Sequence, residues 1–322
     1  MMPPKVSIIV ITYNQQDFVH ETIESCLNQT YENLEIIVCD DGSSDETPNI
    51  IRRYATQYPD KVIPILHPIN TGIAENSNRG LRVANGDYLI WFGGDDIMLP
   101  NKVKFQVEYM ESNPEYSACY HDAEVFEWPS GEVLGLFSKT HGSGVFERID
   151  INKYLQPKCI LLPSTIMMRH EAIQGRLFDI RIKMMNDYLF YAELLIHGGP
   201  FCFLNESLIR YRKSAKSVGK SEFAKQFGFE EVLITLAILD ARYPHFSKAI
   251  QKRTRNDIFL AAAGQIKLGN TRRFRDLCLL GMSRGGLFQG AMLRFFGIPI
   301  IELFYKNKKK YAATIKFLRG WM

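Results

Sequence analysis

Short apolar runs rich in β-branched residues alternate along the first part of the chain with longer segments of helical periodicity. The run Val6–Thr12 has the composition of a strand that is buried on both faces. In the next segment Val19, Ile23 and Cys26 recur at helical spacing, which predicts an amphipathic helix. This alternation continues with short connections and predicts a parallel, doubly wound α/β sheet. The predicted strands are Val6–Thr12, Leu34–Asp40, Val62–Leu66, Asp87–Phe92 and Tyr116–Phe126.

Two further elements are predicted from local signals. Ser43 and Glu46 have the spacing of a capping box, which predicts that the second helix starts at Ser43. The mostly apolar stretch Leu161–Arg169 predicts another strand.

Polar and acidic side chains follow four of the predicted strands where each strand ends. Ligands bind in doubly wound sheets beyond the carboxyl ends of the strands, so we expect these clusters to converge on one edge. Carboxylates gathered at one edge repel each other unless a cation lies among them, and hard oxygen ligands favour Mg²⁺ or Mn²⁺. A solvated Asp-Gly turn is the alternative for an acidic pair taken alone. The clusters are Thr12-Tyr13-Asn14, Asp40-Asp41, Asn70 with Gly72, and Asp95-Asp96.

The chemistry of these clusters fits a nucleoside diphosphate. The ring of Tyr13 can stack on a base, Asp40 can accept hydrogen bonds from a base or a ribose, and a metal on Asp95 can bridge a diphosphate. The sequence lacks the glycine-rich phosphate-binding motifs of dinucleotide-binding and P-loop proteins, which argues against those two classes of site.

A set of short motifs runs in order from Val6 to about Arg212. The motifs are Val6–Asn14, Asp40–Asp45, Asn70-x-Gly72, Asn78-x-Gly80, Ala84-x-Gly86-x-Tyr88, Gly94-Asp95-Asp96-x-x-x-Pro100 and Asn186-Asp187. The ordered set resembles the family-2 glycosyltransferases of the GT-A fold. The resemblance implies a Rossmann-like, mostly parallel sheet flanked by helices in a catalytic domain at 1–215. Its nucleotide-sugar half would be about 1–112 and its acceptor half about 113–215, followed by a basic, amphipathic helical region at 216–322.

The resemblance also implies a role for individual residues. Thr12, Tyr13 and Asn14 would contact the nucleotide, and Asp40 would bind its base or ribose. Asp95 would hold Mg²⁺ or Mn²⁺ against the diphosphate. Asp187 would be the general base, with capping of its own helix as the alternative. Asp41 and Asp96 would bind the ligand or fix a turn, and Arg210 or Arg212 would neutralise the diphosphate or lie on a solvated loop. The further candidates are Asp41, Asp96, Asn186, Arg210 and Arg212.

The activity implied by the resemblance is an inverting, metal-dependent transfer of one sugar from a nucleotide sugar, with UDP as the expected nucleotide. A hexosyl or N-acetylhexosaminyl group would pass to a hydroxyl of a glycan or a lipid-linked, lipopolysaccharide-type acceptor. The Gln-x-x-Arg-Trp motif of processive synthases is absent from the sequence, which favours single addition. Gly93 stands where the family often has an Asp, so the metal would rest mainly on Asp95.

Two other functions remain open at this point. A sugar-nucleotide pyrophosphorylase would share the nucleotide-binding sheet, but the sequence has no Gly-rich, Arg/Lys-bearing loop near its start. A catalytically inactive carbohydrate-binding or scaffold protein is the second alternative, and Gly93 is the feature that supports it.

Positive charge is concentrated at the end of the chain. The net charge is +4, yet residues 242–322 carry 17 Lys and Arg against three acids, interleaved with bulky apolar residues. This pattern is typical of a helix on an anionic membrane surface. A homo-oligomer contact or a lid on the catalytic domain is the alternative, and no recognisable module for binding nucleic acid is present. Six scattered cysteines, with no signal-peptide pattern and no membrane-spanning apolar run, predict a cytoplasmic protein attached to the inner membrane face.

Overall fold

The computed structural model describes residues 3–156, 159–214 and 222–267. The chain divides into two compact units, Met1–Thr235 and Leu236–Met322. Two helices, at Glu222–Arg242 and Ser247–Lys267, fall within the predicted C-terminal helical region, and the most basic stretch beyond them lies outside the described residues. Within the described part, no helix is both long enough and apolar enough to cross a bilayer.

Ten strands in the described part of the first unit form one mixed sheet: β1 (Val6–Thr12), β2 (Leu34–Asp41), β3 (Val62–His67), β4 (Tyr88–Gly93), β5 (Ile97–Met98), β6 (Ala118–Glu127), β7 (Val133–Leu136), β8 (Arg148–Ile149), β9 (Met167–Arg169) and β10 (Phe201–Lys213). The strand order is β3-β2-β1-β4-β9-β6-β10-β5, with β7 paired to β6 and β8 to β10. The first four strands are parallel, as the sequence predicts. β9 is antiparallel to both of its neighbours and joins this parallel half to the rest of the sheet.

Helices flank the sheet, and their apolar faces explain why β1 and β2 are buried almost throughout. A strand covered on both faces has no solvent-facing side, so its sequence is apolar without alternation. The helices of the described part are α1 (Val19–Leu27), α2 (Thr47–Gln57), α3 (Ile73–Val83), α4 (Lys102–Ser112), α5 (Phe137–Thr140), α6 (Ile151–Tyr154), α7 (His170–Ile173), α8 (Asn186–His197), α9 (Glu222–Arg242) and α10 (Ser247–Lys267).

The direction in which the sheet grows reverses beside β1. The chain proceeds outward from β1 through β2 to β3 and then returns to form β4 on the other side of β1. The chain therefore leaves β1 toward β2 and leaves β4 toward the other half of the sheet. Doubly wound sheets bind their ligands at such a switch point.

The predicted start of the second helix is wrong. α2 begins at Thr47, and Glu46 occupies its N-cap position without a side-chain capping bond. Ser43 does not act as a cap, since its hydroxyl oxygen accepts from the Asn14 N–H at 2.7 Å while its hydroxyl donates to the carboxylate of Asp40. The side chain of Asp45 accepts a hydrogen bond from the Thr47 N–H at 3.0 Å instead.

The predicted strand Leu161–Arg169 is correct only in its last three residues, which form β9. Pro163 has no backbone N–H to donate to a neighbouring strand, and its fixed φ favours a turn. Pro163–Thr165 accordingly forms a 3-10 turn. This turn places the Ser164 hydroxyl beside the loop after β4.

Candidate active site

The carboxyl end of β1 is the centre of the candidate site. Thr12 lies opposite Asp40 of β2 in the register of the parallel strands. On the other side of β1, the N–H of Gly94 donates to the carbonyl of Ile11 at 2.9 Å, which holds the loop leading to Asp95 against β1. The structure thus brings three of the predicted clusters, those at Thr12, Asp40 and Asp95, to one edge of the sheet.

The Gly94 backbone packs closely against the segment that follows β1. A Cβ at Gly94 would lie 2.8 Å from the Thr12 Cβ and would clash with the Gln15 side chain. The hydroxyl of Thr12 and the side-chain oxygen of Gln15 are buried and have no hydrogen-bond partner within the described residues. Buried polar groups are normally paired, so these two atoms mark a place where a ligand can supply the missing partners.

Asp40 is buried and organises the turn that follows β2. The N–H of Ser43 donates to its carboxylate at 3.0 Å, and the Ser43 hydroxyl donates to its other oxygen. Burial raises the pKa of Asp40, and these two bonds act in the opposite direction. The Ser43 hydroxyl oxygen also accepts from the Asn14 N–H at 2.7 Å, while Asn14 Oδ1 accepts from the Ser44 N–H at 2.9 Å. Between these anchors the Tyr13 side chain is 47% exposed, so its ring is open to stacking.

The neighbouring carboxylate of Asp41 has a structural role. It accepts hydrogen bonds from the N–H and hydroxyl of Thr71 at 3.0 and 2.9 Å, and from the N–H of Gly72 at 2.7 Å. The guanidinium of Arg79 lies 3.4 Å from the same carboxylate. Asp41 thereby fixes the loop after β3, which contains Asn70. These contacts are those of a residue that fixes a turn.

Asp96 is also buried and bonded to protein. The Ser164 hydroxyl donates to one of its oxygens at 2.6 Å, and the backbone N–H of Arg212 donates to the other at 3.1 Å. Burial raises the pKa of Asp96, and the adjacent Asp95 raises it further. Asp96 therefore ties the loop after β4 to two other parts of the unit, as the structural alternative predicts.

Asp95 is the partly exposed member of this acidic pair. Burial raises its pKa, whereas the nearby Arg212 cation lowers it. A Cβ at Gly93 would lie 3.1 Å from Asp95 Oδ1 and 3.3 Å from Asp96 Oδ2, so the two carboxylates occupy the space beside Gly93. Within the described residues no group of three His, Cys, Asp or Glu side chains is placed to hold a metal.

Arg212 lies next to Asp95 but is engaged in several contacts. Its Nε donates to the Asp95 carbonyl at 2.7 Å, and its guanidinium pairs with the carboxylate of Glu21. The guanidinium carbon also lies 4.9 Å from the ring centroid of Phe18 and 4.8 Å from that of Phe126. These contacts give Arg212 a structural role beside the acidic loop, and its predicted role toward a diphosphate stays a prediction.

Arg210, two residues earlier in β10, is partly exposed and pairs with Glu124 at 2.8 Å.

We expect Arg212→Met to lower the free energy of unfolding by about 2 kcal/mol, because the Arg212 side chain makes its charge-assisted bonds while largely removed from water. Arg210→Met is the matched control and should cost no more than about 1 kcal/mol, as for exposed ion pairs. Urea denaturation of both variants measures the difference, and equal losses would contradict a special role for Arg212.

Asp187 is the second residue of α8. Its Oδ1 accepts a hydrogen bond from the Tyr188 N–H at 2.8 Å, and burial raises its pKa to about 6. The preceding Asn186 is buried, and its amide donates to the Lys183 carbonyl at 3.4 Å. The Asp187 carboxylate thus has the chemistry of a base that titrates close to neutral pH.

Aromatic packing attaches α8 to the strand that leads to Asp95. The ring of Phe190, one turn after Asp187, stacks on Phe178 with centroids 4.3 Å apart and lies 6.1 Å from Trp91. Trp91 belongs to β4, whose end carries the acidic loop. The helix that bears the predicted base and the strand that precedes the predicted metal ligand therefore share one aromatic cluster.

Two residues outside the predicted set also shape this site. The side chain of Gln15 packs against Gly94, and the Ser164 hydroxyl donates to Asp96. Gln15 directly follows the first polar cluster, so its position was a usable signal. Ser164 was assigned to a strand, and only the break imposed by Pro163 points to a turn there.

Comparisons with known proteins agree with this architecture. The chain is 29% identical, over 72% of its length, to the Escherichia coli UDP-Glc:alpha-D-GlcNAc-diphosphoundecaprenol beta-1,3-glucosyltransferase WfaP, of which the match covers 87%. The fold is similar to that of S. aureus TarS 1–349 in complex with UDP-GlcNAc, with a TM-score of 0.65 and 16% identity over 87% of this chain and 81% of that one.

A second solved structure has the same fold. The mannosyltransferase PcManGT from Pyrobaculum calidifontis, in complex with GDP-Man and Mn²⁺, matches with a TM-score of 0.56 and 16% identity over 91% of this chain and 87% of that one. The predicted GT-A fold is thereby confirmed. The family model described as Glycosyl transferase family 2 matches residues 7–176, which is more than half of the chain. This chain therefore belongs to glycosyltransferase family 2 and is a transferase enzyme.

Proposed function

We propose that this enzyme transfers one sugar from a UDP-sugar to a hydroxyl of a lipid-linked glycan, with inversion at the anomeric carbon. The observation that carries the proposal is the convergence of Thr12, Asp40 and Asp95 at the switch point between β1 and β4. The relative WfaP is named for a UDP-Glc donor and a diphosphoundecaprenol-linked acceptor, which supports the same classes of donor and acceptor here.

The nucleotide would lie across the end of β1. The exposed Tyr13 ring would stack on uracil, and Asp40 would accept from the base or the ribose. The Thr12 hydroxyl and the Gln15 side-chain oxygen, unpaired within the described part, would gain partners from the donor. The GT-A neighbour TarS is described in complex with UDP-GlcNAc, which supports a UDP-sugar.

Asp95 would hold a divalent cation at the diphosphate. Mg²⁺ is usually bound by one or two carboxylates together with substrate phosphates, and a single partly exposed Asp fits that arrangement. When bound, the ion would stabilise the charge that develops on the departing UDP. The neighbour PcManGT is described with Mn²⁺, so both ions belong in the test. Arg212 keeps Asp95 in place through its carbonyl.

Asp187 would act as the general base in a direct displacement. Its carboxylate takes the proton from the acceptor hydroxyl while that oxygen forms a bond to the anomeric carbon. The bond between the anomeric carbon and the diphosphate oxygen breaks at the same time, and UDP leaves with the electron pair. Attack from the face opposite the leaving group inverts the configuration, and holding both substrates in place supplies much of the rate.

The test is a thermal-shift screen with UDP-, GDP- and dTDP-sugars, each with Mg²⁺, Mn²⁺ or EDTA, followed by a transfer assay. We expect stabilisation by a UDP-sugar that depends on the metal, and transfer to an undecaprenyl-diphosphate-linked glycan. Ligand at 100 times its Kd should add about 2.7 kcal/mol to the free energy of unfolding. Preference for a GDP-sugar would overturn the UDP assignment. Synthesis of a UDP-sugar from UTP without transfer would identify a pyrophosphorylase instead.

The place of the enzyme in the cell follows from the proposed acceptor. A lipid-linked acceptor requires a catalyst at the membrane surface, and the basic residues of 242–322 would attract anionic lipid. Most of this stretch lies outside the described residues, so attachment to the inner membrane face and self-association both stay predictions. The boundary predicted at 215 also stays a prediction.

A further inference from the structure

The carboxylate of Glu231, in α9, accepts hydrogen bonds from three consecutive backbone N–H groups just before α8. The Lys183 N–H donates to Oε1 at 2.9 Å, and the Met184 and Met185 N–H groups donate to Oε2 at 2.7 and 3.1 Å. Glu231 is only 7% exposed, so these bonds form away from bulk solvent. They lie within the first compact unit and connect two segments more than 45 residues apart in sequence.

This contact lies at the N-terminus of α8, which has no local side-chain cap. The first N–H groups of a helix have no partner within the helix, and a Ser, Thr, Asp or Asn at the N-cap normally satisfies one of them. The N-cap residue of α8 is Met185, whose side chain makes no capping bond. The Glu231 carboxylate accepts from the N–H of this N-cap residue and from the N–H groups of the two residues before it. Its negative charge is favourable beside the positive end of the helix dipole.

The position of Asp187 depends on how the N-terminus of α8 is held. The hydrogen bond that its carboxylate accepts comes from Tyr188, the next residue of the same helix. That bond orients the carboxylate relative to α8 but does not fix α8 relative to the sheet. The Glu231 bonds fix the segment immediately before Asn186 and Asp187, and the aromatic ring of Phe190 fixes the next turn.

We propose that Glu231 is a positioning residue for sugar transfer. It holds the N-terminus of α8 in place so that Asp187 meets the acceptor hydroxyl. The inference rests on the proposed function, in which Asp187 takes the proton. Glu231 acts through backbone N–H groups and not on the nucleotide, so its loss should affect the rate of transfer and spare donor binding. A displacement of about 1 Å in a reacting group can cost about 100-fold in rate.

The test compares Glu231→Gln with the wild-type enzyme. Glutamine has the same shape but turns one acceptor oxygen into an NH₂ donor that faces a backbone N–H. We expect kcat to fall by about 10- to 100-fold, with the KM for the UDP-sugar and the Kd for UDP changed less than twofold. Glu231→Asp keeps both acceptor oxygens on a shorter side chain and should recover part of the lost kcat, and it serves if the Gln variant fails to fold.

Glu35→Gln is the matched control for a purely structural loss. The Glu35 carboxylate is buried and accepts three hydrogen bonds, from Lys5 Nζ and the Ser7 hydroxyl at 2.6 Å each and from the Asn85 N–H at 3.0 Å. It lies in β2 near the amino end of the sheet, opposite the candidate site. This variant should lose stability to a similar degree and keep its kcat at temperatures where it is folded.

The outcomes separate this inference from the proposed function. Wild-type kcat in Glu231→Gln, with transfer abolished in Asp187→Asn, would overturn the positioning role alone. A kcat loss in Glu231→Gln no larger than that in Glu35→Gln, or a parallel rise in the donor KM, would overturn it as well. Full turnover in Asp187→Asn would instead refute the proposed mechanism, whatever the Glu231 variants show.

Discussion

Replacing Asp187 by Asn is expected to abolish sugar transfer and to leave nucleotide binding intact. The amide cannot take a proton from the acceptor hydroxyl, and general-base catalysis contributes about 10² to 10⁴-fold to such reactions. We therefore expect kcat to fall by about 10³-fold or more. Calorimetric titration with UDP and metal should give a Kd within twofold of the wild type, because the nucleotide is expected at the end of β1. Turnover within tenfold of the wild type would contradict the assignment.

The stability of this variant distinguishes a lost base from a lost fold. Burial raises the pKa of Asp187 to about 6, so the folded protein binds this proton more tightly than the unfolded chain does. The free energy of unfolding therefore decreases as the pH rises from about 4 to about 6 and Asp187 ionises. Asn has no charge to bury, so Asp187→Asn should be at least as stable as the wild type at pH 7. For the wild type, kcat/KM should fall below about pH 6 as Asp187 of the free enzyme is protonated, and a flat kcat/KM profile from pH 5 to 8 would exclude it as the base.

Asp95→Asn should have the second largest effect, because it removes the carboxylate expected to hold the cation. An amide oxygen is a weaker ligand, and a bound metal supplies several kcal/mol of charge stabilisation, so we expect about a 100-fold loss of metal-dependent UDP affinity. The measurement is the ratio of UDP affinities with Mn²⁺ or Mg²⁺ and with EDTA. This ratio should approach one in the variant.

Asp96→Asn is the control for the neighbouring carboxylate. Both oxygens of Asp96 accept bonds from the protein, from the Ser164 hydroxyl and the Arg212 N–H, so an amide here would set a donor against a donor. We expect this variant to lose stability and to keep the metal dependence of UDP binding. The reverse result, with metal dependence lost in Asp96→Asn and kept in Asp95→Asn, would move the cation to the other carboxylate.

The parallel half of the sheet could be predicted because its signals are local. A strand buried on both faces must be apolar throughout, and the runs at β1, β2 and β4 show this without any knowledge of their partners. Alternation of these strands with helical segments then predicts that the strands are parallel, so that their carboxyl ends lie along the same edge of the sheet. The approach of Thr12 to Asp40 follows from that arrangement, since both residues stand at the ends of adjacent strands.

The wrong start predicted for α2 involves competition for a polar group. Ser43 has the spacing of a helix cap, yet its hydroxyl oxygen accepts from the Asn14 N–H and its hydroxyl donates to the buried carboxylate of Asp40. Both partners come from other segments, which the spacing of Ser43 and Glu46 does not encode.

By itself, the sequence determined the α/β class, the parallel half of the sheet and the strand ends where polar groups collect. Strands buried on both faces are continuous apolar runs, and the helices between them repeat apolar residues at helical spacing. The family resemblance gave ligand roles to Asp40 and Asp95, but only the tertiary structure shows that the adjacent and chemically identical Asp41 and Asp96 are held by hydrogen bonds from other parts of the protein. Their roles depend on which neighbours reach them. Glu231 contacts the start of α8 from a helix that is distant in sequence. Such a contact cannot be predicted from the residue pattern of either segment alone.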